Sequence, residues 1–325
     1  MMKVLVLGGT GFIGGQIVRA ALAAGHTVRV LRRRHTVGAL ADVAHRVEWV
    51  MGDLDDVNSL EKAVSDCDVL FHAAAYYPGS ARDIPAEVAY AEEQMGRVLQ
   101  AAQKAAVERL IYTSSPTTVG PPSEPGRLAD ERDFYVSGSS DSTYYEVKIA
   151  MEQMALEAAA DGLPVVALLP TVVFGPGDVK PTTGQVLMEL AKRGLPLYLD
   201  GAVNIVDGRD VADAHIAAIE RGRVGQRYLV GGHNVTIRQG LTLATEVAGV
   251  RTPQFKLPGA ALRAVVRASA ALPGFELPDH GRTLHLLQPL STLKAELELG
   301  LAARPLKETL RDTLAWFKEH GYLAR

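Results

Sequence analysis

The stretch KVLVLGGTGFIGG, Lys3–Gly15, decides the fold. Its apolar start, Lys3–Leu7, has the composition of a parallel strand buried on both faces. Gly8, Gly11 and Gly14 follow, and the pattern then changes to the helical spacing of Ile13–Ala24. Each glycine has a job in a strand–turn–helix unit that takes a pyrophosphate. Gly8 permits the tight turn, Gly11 lets the backbone approach the anion, and Gly14 lets the helix pack close to the sheet. The helix N-terminus adds free N–H groups and a partial positive charge. A turn glycine plus chance is the competing reading, because glycine is common in this chain. Strand, glycines and helix in the required order favour the phosphate cradle.

Outward from this unit, strand-like and helix-like runs alternate. Strands are expected at Thr27–Leu31, Val47–Met51, Val69–His72, Leu110–Thr113 and Val165–Leu169. Helices are expected at Ser59–Val64, Pro85–Ala105 and Thr143–Ala160, with Gly25, Gly162 and Pro164 marking helix ends. That alternation specifies an α/β, Rossmann-type doubly wound parallel sheet. The regularity fades after Gly175. Residues 1–175 are expected to be mainly the dinucleotide-binding domain. Residues 176–325 are expected to be mainly a smaller C-terminal substrate lobe, with segments returning to the first domain.

The ends of the strands carry the next signals. The second strand ends in Arg32, Arg33 and Arg34, where NAD binders place an acidic residue on the ribose 2′-hydroxyl. A guanidinium there pairs with a 2′-phosphate. The competing reading is a solvated basic turn. NADP is the expected cofactor and NAD the alternative, with Arg32 the residue that decides. Asp53, in Gly52-Asp53-Leu54, follows the third strand, where a carboxylate can accept from an adenine amino group. Ala73, Ala74 and Ala75 follow the fourth and leave room for ribose and diphosphate. Each of these is weak alone, since Asp53 also suits a helix cap and the alanines suit a core.

In STYYEVKIAMEQ, Ser142–Gln153, Tyr144 and Lys148 stand four apart on one helix face. A nearby ammonium favours the phenolate and gives a proton donor or acceptor usable near neutral pH. An ordinary surface pair is the alternative. YTSS, ending the fifth strand, puts Ser114 and Ser115 at the cofactor edge, where a hydroxyl can bond a carbonyl oxygen.

Together GGTGFIG, GDL, HAAA, YTSS, YYEVK and GPGD resemble the extended short-chain dehydrogenase/reductase family, in family order from Gly8 to Asp178. The C-terminal STLKAELELG and PLKETLRDTLAWF extend the likeness to nearly the full length. VFGPGDVKPTTG and LYLDGAVNIVDGRDVADAH are most similar to dihydroflavonol-reductase-like proteins and hopanoid-associated sugar epimerases. The resemblance implies a Ser115–Tyr144–Lys148 catalytic set. Tyr144 would be the acid/base, Lys148 would lower its pKa and hold the ribose, and Ser115 would orient the substrate oxygen. It implies cofactor contacts at Gly8, Thr10, Gly11, Phe12, Ile13, Gly14, Arg32, Asp53, Leu54, Ala73, Ala74, Ala75, Thr113, Tyr144 and Lys148. Pro170, Thr171 and Val172 would line the nicotinamide side. Tyr76, Tyr77, Ser114 and Ser115 are the expected substrate-pocket residues, and a homodimer through the Tyr144–Lys148 helix is compatible with it.

Three departures narrow the chemistry. Ser115 is followed by Pro116, Thr117 and Thr118 rather than an Asp-Glu pair, which argues against dehydration. The arginine that grips a nucleotide diphosphate in epimerases is Val203 here, and Asp207 replaces a histidine; Arg209 is the residue that could compensate. Ala91 stands where the family often has an asparagine. The competing functions are an NADP-dependent reductase or dehydrogenase of a small or medium carbonyl or alcohol, an NAD-dependent nucleotide-sugar epimerase, and a non-catalytic dinucleotide sensor.

Composition sets the remaining bounds. A formal net charge of −3 gives no global pull toward nucleic acid. Cys67 is the only cysteine, so no intramolecular disulfide or cysteine-based zinc site is possible. The histidines lack ligand spacing, so no metal is expected. No run reaches the ~20 apolar residues that span a bilayer, and no signal peptide is read, so a cytoplasmic enzyme without stable membrane insertion is expected. The apolar segment 259–272 would pack against the lobe, cover an apolar substrate or lie on a membrane surface.

Overall fold

The computed structural model describes every residue except Ala75, 79–82, 140, 182, 195–196, 259–285 and 324–325. The apolar segment 259–272 therefore lies outside the described residues, as does Ala75.

The central sheet is built from β1 (Lys3–Leu7), β2 (Thr27–Arg32), β3 (Glu48–Met51), β4 (Val69–His72), β5 (Arg109–Thr113) and β6 (Val165–Pro170). All are within a residue or so of the expected runs. A seventh strand, β10 (Arg227–Val230), joins from far along the chain, and the spatial order is β10-β6-β5-β4-β1-β2-β3. Every pairing in it is parallel. The order reverses between β1 and β4, so the chain leaves these neighbours in opposite directions and opens a crevice at their carboxyl ends.

Helices α1 (Phe12–Ala23), α2 (Val57–Val64), α3 (Ile84–Lys104), α4 (Thr143–Ala160) and α6 (Gly208–Arg221) cover the two faces. Their starts follow local chemistry. Asp56 caps α2 by accepting from Asn58 N–H, which starts that helix two residues before the expected Ser59. Asp83 caps α3, and Ser142 caps α4 through Tyr145 N–H. One face buries Ile17, Phe71 and Tyr228, and the other buries Leu5, Met95 and Val147. Each such side chain stabilises the fold by about 1.5–3 kcal/mol.

A second layer forms from Val172 onward. Strands β7 (Val172–Phe174), β9 (Ala202–Asp207) and β11 (His233–Thr236) make a small sheet in the order β11-β9-β7, and β8 (Leu197–Leu199) pairs with β12 (Phe255–Leu257). Helices α5 (Thr183–Arg193), α7 (Ile237–Ala248) and α9 (Leu306–Glu319) bury a separate apolar cluster around Leu187, Leu310 and Phe317. Helix α8 (Leu293–Leu299) returns to the large sheet beside α6 and β10. No helix among the described residues is long and apolar enough to cross a membrane.

Candidate active site

The glycine loop closes between β1 and α1. Gly8 takes the left-handed conformation, φ +82°, and a Cβ there would lie 2.6 Å from the Ala73 carbonyl oxygen. At Gly14 a Cβ would lie 2.2 Å from the Gly8 carbonyl oxygen, so only glycine lets α1 approach the strand. Gly11 differs, since a Cβ there meets nothing nearer than the Gly8 oxygen at 3.3 Å. A methyl group at Gly11 would thus meet a single backbone atom, in a tight contact far milder than at Gly8 or Gly14. Gly11 is also the N-cap of α1, with no side-chain cap and no acidic residue in the first turn. A glycine backbone there and an uncapped helix N-terminus fit a pyrophosphate. Thr10, Phe12 and Ile13 are half-buried around it. The turn at Gly38–Leu40 packs on the loop, with Ala39 N–H donating to the Thr10 carbonyl at 3.1 Å.

The carboxyl ends of the neighbouring strands face the same crevice. Arg32 closes β2 with its guanidinium 4.4 Å from the Trp49 ring centroid and its buried Nε without a hydrogen-bond partner. That leaves the guanidinium pinned by stacking while a donor remains unused. Asp53 is half-buried and accepts from Asp55 N–H at 3.2 Å; the α2 cap is Asp56, not Asp53. Leu54 leans on the core. Ala73 N–H donates to the Leu7 carbonyl, and Ala73 and Ala74 flank Gly8. The Thr113 hydroxyl is engaged with His215 Nε2 at 2.8 Å, so only its backbone is left to line the crevice.

The two serines after β5 point different ways. Ser114, expected in the substrate pocket, donates to the buried carboxylate of Glu152. Ser115 caps the turn Pro116–Thr118 and accepts from Thr117 Oγ1 at 2.9 Å. It also hydrogen-bonds the Tyr144 phenol. Tyr77 stacks on Tyr144, ring centroids 5.5 Å apart, and their hydroxyls share a hydrogen bond. Lys148, one turn on, is buried, with its Nζ 5.7 Å from the Tyr144 ring centroid.

The charges of this group are set by burial. Desolvation lowers Lys148 to about 8, against the pull of Glu152. Tyr144 is held well above its ordinary value by burial, with Tyr77 adding to the rise and the Ser115 hydrogen bond opposing it. Burial sets the direction at Tyr144, and the Ser115 hydrogen bond is what opposes it. His72, buried beside Lys148, is pushed down to about 3, first by burial and then by the ammonium.

Next to Ser115 lies a cavity of about 280 Å³. Thr117, Tyr145, Thr171, Val172, Val203 and Leu287 are among its walls, and no described residue lining it is charged. Val203 is thus a wall where a diphosphate anchor was sought. Arg209 does not replace that anchor, because Asp207 and Asp312 hold its guanidinium at 2.7 and 2.9 Å. Thr171 donates to the Asn204 side chain at 2.9 Å, and Pro170 is buried at the end of β6. Tyr76, expected in the substrate pocket, is turned to α3, where its hydroxyl donates to Glu87 and its ring meets Tyr90 at 5.0 Å. Sequence reasoning missed Asn204, Gln288 and Glu152. Only Glu152 left a signal, one helical turn after Lys148.

The sequence profile of the NAD dependent epimerase/dehydratase family matches residues 4–231. Sterol demethylase protein B of Methylococcus capsulatus is 31% identical, with 99% of this chain and 100% of that protein covered. Dihydroflavonol 4-reductase of Zea mays is 29% identical over 78% of this chain and 76% of that one. A solved nucleoside-diphosphate-sugar epimerase from Pseudomonas aeruginosa is 31% identical, covers 99% of both chains and superposes with a TM-score of 0.85. The chain belongs to the NAD dependent epimerase/dehydratase family and is an NAD(P)-dependent enzyme of the extended short-chain dehydrogenase/reductase type.

Proposed function

We propose that the protein is an NADP-dependent reductase of a carbonyl, or dehydrogenase of the matching alcohol, on an uncharged, largely apolar organic molecule of small or medium size. The observation that carries this reading is the cavity beside Ser115, with no charged residue among its described walls and Val203 where a diphosphate would need an arginine. A nucleotide sugar brings two phosphate charges, and burying them against valine and leucine without a partner is costly. Relatives that share the fold include an epimerase, so the pocket rather than the fold separates the two readings.

The cradle at Gly8, Gly11 and Gly14 would hold the pyrophosphate, and Arg32 would take the 2′-phosphate of NADP. Once bound, the cofactor supplies or accepts the hydride. Ser115 would hold the substrate oxygen by a hydrogen bond. Tyr144, whose phenol is protonated at neutral pH, would donate a proton to that oxygen. Lys148 would hold the ribose and keep a positive charge near the developing phenolate. Residues 1–175 and 176–325 would then act as cofactor and substrate units. A cytoplasmic homodimer through α4 belongs to the same proposal.

The test is a titration of NADPH followed by a screen of aromatic, steroid and isoprenoid ketones, with UDP-glucose in a parallel calorimeter cell. NADPH-dependent reduction of at least one ketone and no micromolar UDP-glucose binding are expected. Micromolar binding of the nucleotide sugar would transfer the reading to an epimerase.

A further inference from the structure

Glu152 has no part in the chemistry above, yet its carboxylate is 2% exposed and ties several elements together. It stands one turn beyond Lys148 on α4. One oxygen accepts from the hydroxyls of Ser114 and, at 2.9 Å, Thr118; the other forms an ion pair with Arg227 Nε of β10 at 2.7 Å. Arg227 is itself buried and donates to the Thr118 carbonyl at 3.0 Å and its hydroxyl at 2.9 Å. It further reaches the Glu131 carbonyl at 3.2 Å and lies 4.1 Å from the Phe134 ring centroid. Ser114 and Thr118 bracket Ser115. One carboxylate therefore fastens the segment carrying Ser115 to the helix carrying Tyr144 and Lys148.

We propose that Glu152 is a positioning residue that locks the two halves of the catalytic set in register and provides the counter-charge that keeps Lys148 an ammonium. The proposal rests on the Ser115–Tyr144–Lys148 reading above. The groups facing the pair are few. Glu152 faces Lys148 on its own helix, Arg227 from β10, and the neutral Ser114, Thr118 and Tyr112 from β5 and the turn after it. Lys148 faces Glu152, the His72 ring from β4 and the Tyr144 ring. His72 is neutral at working pH, and although burial raises the Glu152 carboxyl, Arg227 and the Ser114 and Thr118 hydroxyls favour its carboxylate. An opposite charge one helical turn away on the same face favours the ammonium form of Lys148.

The two roles are separable by two substitutions. Glu152→Gln keeps an acceptor for the hydroxyls and removes the charge. Thr118→Val keeps the charge and cuts the link to the Ser115 turn. NADPH affinity is measured by fluorescence from pH 6 to 10, melting temperature alongside, and kcat and KM for a ketone from the screen. In Glu152→Gln the alkaline loss of NADPH affinity should move about 1 pH unit lower. At pH 6 the affinity should match wild type. In Thr118→Val the pH limb should stay in place, while kcat falls about 10- to 100-fold through misplacement of Ser115 and KM barely moves. A folded Glu152→Gln whose alkaline limb coincides with wild type overturns the counter-charge, even if its melting temperature drops. Wild-type kcat in Thr118→Val overturns the clamp. If Glu152→Gln does not fold, Ser114→Ala joins Thr118→Val, and wild-type kcat in both sinks the proposal. Lys148→Met serves as the control: if it leaves wild-type NADPH affinity and its pH dependence intact, the functional reading fails first and this inference falls with it.

Discussion

The contrast between Gly11 and Gly14 offers a test that separates cofactor binding from folding. At Gly11, alanine's Cβ meets only one carbonyl oxygen at 3.3 Å, and the backbone is extended at φ −87° and ψ −178°. Exchanging glycine for alanine at an N-cap costs about 0.5–1.5 kcal/mol. The loss of unfolded-chain entropy returns about 0.4–1 kcal/mol. Stability should therefore change by less than about 1 kcal/mol, which is at most a few degrees in melting temperature. The new methyl group, however, stands where an anion must approach the loop. Losing one charge-assisted hydrogen bond at about 1.5–3 kcal/mol weakens binding about 10- to 150-fold. Gly14→Ala inverts the pattern. Its Cβ falls 2.2 Å from the Gly8 oxygen and 3.0 Å from the Gly9 Cα, both backbone, so α1 must move away from β1. Overpacking of that kind costs about 1–3 kcal/mol or more, and the melting temperature should drop by several degrees. Thermal melts with and without NADPH, together with a fluorescence titration, read both quantities. Gly11→Ala binding NADPH within threefold of wild type would refute the assignment of the cradle.

Arg32→Ala should remove most of the preference for NADPH over NADH, read as the ratio of two fluorescence titrations; equal affinities in the wild type would end the NADP reading. Tyr144→Phe should lower turnover about 10²–10⁴-fold with little change in NADPH affinity, and turnover within a few-fold of wild type would remove Tyr144 from the mechanism. The pH dependence follows from Lys148, whose charged form is populated below its pKa of about 8 and lost above it. Reduction rate and NADPH affinity should therefore hold steady toward neutral pH and decline together as pH rises through about 8, and a flat profile to pH 10 would contradict that assignment.

Much of the frame was legible because it depends on local rules. Lys3–Gly15 specifies strand, turn and helix by itself, and Tyr144 and Lys148 share a face because α-helical spacing leaves no alternative. What stayed hidden depended on where a side chain turns. Ser114 and Ser115 follow β5, and both reach α4, Ser115 at Tyr144 and Ser114 two turns further on at Glu152. Tyr76 and Tyr77 diverge, one to Glu87 on α3 and the other onto Tyr144. Arg209 could be proposed as a phosphate anchor only until Asp312, far along the chain, was seen to hold it. Glu152 had its spacing after Lys148 to show, but its role was hidden for a related reason. A carboxylate on a helix looks like a solvated charge until the buried guanidinium of Arg227 arrives from a strand that joins the sheet last.

The electrostatics of the site favour one protonation state. Burial pushes each titratable group toward its neutral form: it raises Tyr144, lowers His72 to about 3 and lowers Lys148 to about 8. At neutral pH the phenol is protonated and the imidazole neutral, and Lys148 alone among the three keeps its charge, with Glu152 opposing its desolvation. A protonated tyrosine next to a cation is arranged to give its proton to an oxygen that is gaining negative charge, and the ammonium then stabilises the phenolate left behind. Running the reaction toward the alcohol uses this resting state directly. Oxidation needs the phenolate first, and the burial that raises Tyr144 makes that state costly near neutral pH. The uncharged cavity bears on a different question, which molecule is taken, and the protonation state of Tyr144 bears on the direction in which it would react.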